Sequence, residues 1–114
     1  MKILNSSKAS VIAQYAGKAD TFLSRLTGLL GKDNLKPGQG LVIGRCNSIH
    51  MFFMKFPIDA IFVGRENRVV GLVENIKPFQ VSPIFWQGNF VIEVGVGVIK
   101  NSNTALGDLI RLED

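Results

Sequence analysis

Four residues able to carry charge or move a proton stand in or beside otherwise apolar runs of this sequence: His50, Asp59, Glu93 and Asp108. A carboxylate withdrawn from water is costly unless donors or a cation replace its hydration, so each acid needs a partner. Arg25, on the polar side of a helical stretch, is an obvious one. Histidine titrates near neutrality, and His50 oriented by Asp59 has the composition of a general acid and base pair for hydrolysis. The same four residues offer a metal one nitrogen and several hard oxygens, but their spacing matches no ligand motif. No serine sits in a nucleophile elbow and no glycine-rich phosphate loop is present. No metal and no cofactor are expected.

Three readings of these residues stay open. In the first, His50, Met54, Asp59, Glu93, Arg25 and Asp108 border a site for a small ligand or a protein segment, in a non-enzymatic binding or accessory module. In the second, His50 and Asp59 are catalytic residues of a hydrolase. In the third, the polar set is a buried network that fixes a helix onto a sheet, with no ligand at all. Met51, Phe52, Phe53, Met54 and Phe56 can line a cavity, though such a block is more often simple core. Phe85 and Trp86 offer a separate aromatic patch for a protein or glycan partner, unless they fold back to plug the end of a barrel.

The elements that must position these residues are short. Val11 to Ala16 reads as a first strand closed by Gly17. Asp20 is placed to cap a helix whose apolar residues Phe22, Leu23, Leu26, Leu29 and Leu30 recur at helical spacing, which predicts a helix over 21–30 with Gly31 beyond it. Lys36 to Gly40 is a turn leading into the strand Leu41 to Ile43. Asn47 to Met54 alternates as a strand buried on both faces, and Pro57, which has no amide to donate, breaks it. Ile58 to Val63 and Val69 to Val73 form a hairpin around the polar tip Gly64 to Arg68. After a long loop, Phe90 to Val94 alternates with Glu93 on the opposite face from Phe90, Ile92 and Val94. A short helical turn near Val98 to Ser102 and a last strand Leu109 to Leu112 finish the chain. Six or seven short strands and one helix predict a mainly β (α+β) fold, a compact small barrel or sandwich-like sheet, as a single domain over 1–114.

Composition agrees. With 46% hydrophobic and 19% charged residues, the chain has apolar surface enough to offset the entropy of folding. One cysteine, Cys46, precludes an intramolecular disulfide and a cysteine-rich zinc site. The net charge of +4 comes from basic residues spread singly among acids, which lacks the basic and aromatic interleaving of a nucleic-acid platform. No run is long enough to span a bilayer, and Ser6, Ser7, Lys8 and Ser10 interrupt any signal-peptide core, so a cytoplasmic location and no membrane partner are expected.

The run Ser48 to Val63, SIHMFFMKFPIDAIFV, resembles the central signature of a bacterial and archaeal family known as domain of unknown function 192. Arg25 to Leu30, Gly40 to Ile43, Val91 to Val94 with Gly97 following, and Ala105 to Asp108 agree with it in order, so the resemblance covers about residues 20–112. It implies a small mainly β domain with a helix near its start and transfers no biochemical activity. It also implies that many relatives carry an export signal or lipid anchor. Where relatives have a small residue before the glycine that follows the glutamate strand, this sequence has Val96, with an extra Gly95 ahead of it.

Overall fold

The computed structural model describes residues 1–19, 35–52 and 54–114. Eight strands occur among them: β1 Lys2–Asn5, β2 Ser10–Ala13, β3 Tyr15–Ala19, β4 Gln39–Gly44, β5 Ile58–Gly64, β6 Val69–Ile76, β7 Gly88–Val94 and β8 Ile110–Glu113. One helical turn, α1 Val98–Asn101, lies between β7 and β8. The fold is mainly β, as the pattern of short apolar runs predicts. The expected helix over 21–30, its flanking Asp20 and Gly31, and Arg25 lie outside the described residues.

Five strands form one sheet in the order β3-β4-β7-β5-β6, and three form a second in the order β2-β1-β8. All neighbours are antiparallel except β3 and β4. Interior strand β5 is buried at every position, so apart from Asp59 it reads as an apolar run and not as an alternation of apolar and polar residues. Its odd and even residues nevertheless serve different layers. Ile58, Ala60 and Phe62 join Leu41, Ile43 and Val91 on one face, where Ile49, Met51, Met54 and Phe56 cover the sheet. Ile61 and Val63 join Ile92 and Val94 on the other, packed against Ile3, Ile12 and Ile110 of the small sheet. The two sheets are laced together at their rims, where the Ala16 amide donates to Met1 O and the Val69 amide to Asp108 O. The result is a layered sandwich partly closed toward a barrel.

Two expectations need correction. Val11 to Ala16 is not one strand: the chain turns between Ala13 and Tyr15, giving β2 to the small sheet and β3 to the large one, and Lys2–Asn5 adds a strand that its lysine and short length had hidden. Asn47 to Met54 is not a strand either. Among its described residues, His50 makes an isolated bridge to Val81, and Ile49 and Met51 are buried by loop packing. Alternation there reflects an inner and an outer side of a loop, which a strand pattern mimics.

The turns follow their residues. Pro37 and Gly38 occupy the corners of a turn closed by the Gln39 amide on Lys36 O, and Gly38 takes the positive φ of +84° that such a turn demands. The β5–β6 tip places both Glu66 and Asn67 at positive φ, the handedness that matches strand twist in a tight hairpin. Among the described residues no helix is long and apolar enough to cross a membrane.

Candidate functional site

Asp59 stands near the start of β5 with none of its surface exposed. Its register opposite Val94 turns it toward the small-sheet layer. There Oδ2 accepts the Gly97 and Ile99 amides at 3.0 and 3.1 Å, and Oδ1 accepts the Asn75 amide at 2.8 Å. Amides at the start of α1 have no partner within so short a helix, and a carboxylate meets that need. Asp59 thus ties β5, β6 and α1 together through the main chain.

Glu93 is equally buried but faces the other way, because its strand partner Ala60 belongs to the opposite layer. Two acids that look alike in the sequence are therefore separated by the sheet. Met54 is core beside Met51 and Phe56. Arg25 lies outside the described residues.

Asp108 is held at the far rim. Its Oδ2 accepts Asn5 Nδ2 and the Ala105 amide, both at 2.9 Å, and Lys8 Nζ lies 2.9 and 2.8 Å from Oδ1 and Oδ2. Thr104 and Ser102 extend the network, with Asn5 Nδ2 donating to Thr104 Oγ1 at 3.1 Å and the two hydroxyls 2.7 Å apart. Burial pushes the Asp108 carboxyl up, yet the donors Asn5, Lys8 and the Ala105 amide, with the Lys8 charge, outweigh it and hold the group below its ordinary value. Asn5, Lys8 and Thr104 carry no sequence signal for this role, since Asn5 and Lys8 lie about a hundred residues from the acid they serve.

His50 alone of the described candidates is not buried. Its ring stacks on Phe52, with centroids 4.8 Å apart. The loop carrying both is pinned to the long loop after β6: Met51 donates to Gln80 O, Phe79 to Met51 O, Ser82 to Ile49 O, and Ile49 to Ser82 Oγ. Inward residues of this double loop, Ile49, Met51 and Ser82, are buried, while Phe52, Phe79 and Val81 stand 46%, 73% and 60% exposed. Phe79 has φ of +68°, a backbone region that bulky side chains avoid. Among the described residues, no three His, Cys, Asp or Glu side chains gather where one ion could bind them.

The profile of the domain of unknown function 192 family, described as Uncharacterized ACR, matches residues 3–112. The chain belongs to this family. Relatives described only as UPF0127 proteins include one from Thermococcus sibiricus, 34% identical over 97% of this chain and 74% of its own length. Another, from Pyrococcus horikoshii, is 34% identical over 96% of each chain. Among solved structures, a protein of unknown function from Novosphingobium aromaticivorans superposes with a TM-score of 0.80 at 22% identity, covering 97% of this chain and 82% of that one. A Sinorhizobium meliloti protein, provisionally called a transcription regulator, gives 0.76 at 19% identity, covering 96% and 89%. At such identities the likeness is one of fold.

In this member of the domain of unknown function 192 family, the signature run divides by role. The described residues up to Pro57 build half of the double loop, and residues from Ile58 build the interior strand β5 with its amide-binding acid. His50 and Asp59 belong to different halves, with Asp59 sealed on the far layer.

Proposed function

We propose that this domain is a non-enzymatic binding module that recognises an apolar protein segment on the outer side of the double loop, with Phe52, Phe79 and Val81 as anchors and His50 beside them. The observation that carries this reading is Phe79. It is 73% exposed and holds a left-handed backbone, φ +68°, where glycine would sit without strain. Such strain costs of order 1–3 kcal/mol and persists where neighbouring bonds over-determine the backbone. Here those bonds come from Met51 and from Gln80, whose amide and side chain close the turn on Lys77. An aromatic ring held outward at a cost to folding is explained by contact with something else. Lys55 and Lys77, both exposed and within three residues of Phe52 and Phe79 in the sequence, favour a segment carrying acidic residues. We place the module in the cytoplasm, a setting compatible with a sequence that holds one cysteine, Cys46.

The test is selection of displayed peptides on the wild-type chain, counter-selected on a Phe52→Ser, Phe79→Gly, Val81→Ser variant. Peptides joining aromatic or aliphatic residues to Asp or Glu should be enriched, and loss of the anchors should weaken them by about 2 kcal/mol or more, roughly thirtyfold. Phe79→Gly alone should leave the melting temperature unchanged or raise it. Enrichment of no such peptide, or equal binding by the variant, would refute the reading.

A further inference from the structure

The tip of the β5–β6 hairpin and the turn after the long loop face each other across a concavity of about 540 Å³, lined by Arg65, Arg68, Val70, Trp86, Gln87 and Asn89. That volume falls within the roughly 300–1,000 Å³ of small-ligand clefts. Trp86 is 81% exposed, and Ile84 continues its apolar surface at 49%.

Both walls are held rigidly. The Gly88 amide donates to Phe85 O at 2.7 Å, so Trp86 and Gln87 occupy the corners of a tight turn, and the Phe85 amide anchors that turn on Asn47 O. The Phe85 ring is driven inward against Phe62, with centroids 4.5 Å apart, which leaves Trp86 facing out. Across the concavity, one Arg68 nitrogen donates to Gly107 O at 3.3 Å, steadying a side chain that retains further donors. Glu66, exposed at the same tip, is not among the lining residues.

We propose that this concavity binds an anionic sugar residue, its ring on the Trp86 indole and its carboxylate or phosphate between Arg65 and Arg68. Each feature has its chemical counterpart. Guanidinium groups match planar or tetrahedral oxyanions through forked N–H donors. A pyranose presents a face of C–H groups that stacks on an indole, and its hydroxyls both give and take hydrogen bonds, as the carboxamides Gln87 and Asn89 do. A nucleic-acid strand would need a longer row of cations and more than one stacking ring. This site is separate from the Phe52, Phe79 and Val81 face and stands or falls independently of it.

Trp86 is the sole tryptophan, so its emission reports this concavity directly. The full chain is titrated at low salt with glucuronate, glucose 6-phosphate, neutral glucose and AMP. A saturable shift in emission with glucuronate, glucose 6-phosphate or both supports the site and says which anion it takes, with glucose weaker by roughly tenfold or more. The Arg65→Gln, Arg68→Gln variant should lose the anionic preference, whereas Phe79→Gly should keep it. If the double variant folds poorly, added salt on the wild type must weaken binding in its place. No saturable change with either anionic sugar, equal affinity for glucose, tighter binding of AMP, or binding indifferent to both arginines and salt would overturn the proposal.

Discussion

Asp59 acts through main-chain amides and Asp108 through Asn5, the Ala105 amide and a lysine held at the rim, and substitution of either should read out as stability. Asp59→Ala strands the buried Ile99 amide and the partly buried Gly97 and Asn75 amides, and with an unsatisfied buried donor costing about 1–3 kcal/mol and the other two less, a loss of roughly 2–4 kcal/mol is expected in urea unfolding. Asp59→Asn keeps an acceptor oxygen and should lose less. A loss under about 1 kcal/mol for Asp59→Ala would contradict the bridging role. Asp108 makes a pH prediction. Its folded-state value is lowered, so its contribution is complete above the ordinary carboxylate value of 3.8 and fades as pH falls below it toward the folded value. The melting temperature should therefore drop below about pH 4 by more in the wild type than in Asp108→Asn, where this titration is absent.

At the scale of elements, the long loop after β6 is positioned by what β6 lacks. A Cβ on Gly71 would lie 2.3 Å from the Phe85 ring, so glycine alone lets that ring lie flat on the strand and meet Phe62. Gly71→Ala must displace Phe85 from a packed site, at about 1–3 kcal/mol. Because Phe85 begins the turn that carries Trp86, the same substitution should also shift tryptophan emission in the folded protein. Unaltered emission with full stability would show that the loop is held by other means. The double loop illustrates why elements were only partly legible. Ile58 to Val63 and Val69 to Val73 were readable as a hairpin because the polar tip and its partner lie close in sequence. Asn47 to Met54 shows equal alternation, yet among its described residues the one strand-like pairing is His50 with Val81 of a loop some thirty residues away, and pairing partners are not encoded in one segment's pattern.

For the whole molecule, burial is distributed by topology. β5 and β7 have neighbours on both edges and core on both faces, whereas β2 and β3 are edge strands. Amide exchange should consequently be slowest through Ala60 to Val63 and Val91 to Val94 and faster in β2 and β3, a contrast visible by native-state exchange. Uniform protection across the sheets would mean that the chain opens only globally.

Composition and apolar pattern by themselves determined a mainly β fold, the β5–β6 hairpin and the alternation that sets Glu93 against Ile92 and Val94, while the family match over residues 3–112 places the chain in the domain of unknown function 192 family. These are local properties, or properties of a whole aligned run. Tertiary structure alone decided which polar residues meet. One residue's difference in register sends Asp59 and Glu93 to opposite faces of one sheet, Lys8 reaches Asp108 across the length of the chain, and two arginines of a hairpin tip come to face a tryptophan of a distant turn. Strand order brings those pairs together, and strand order is the outcome of every segment competing to bury its apolar face at once.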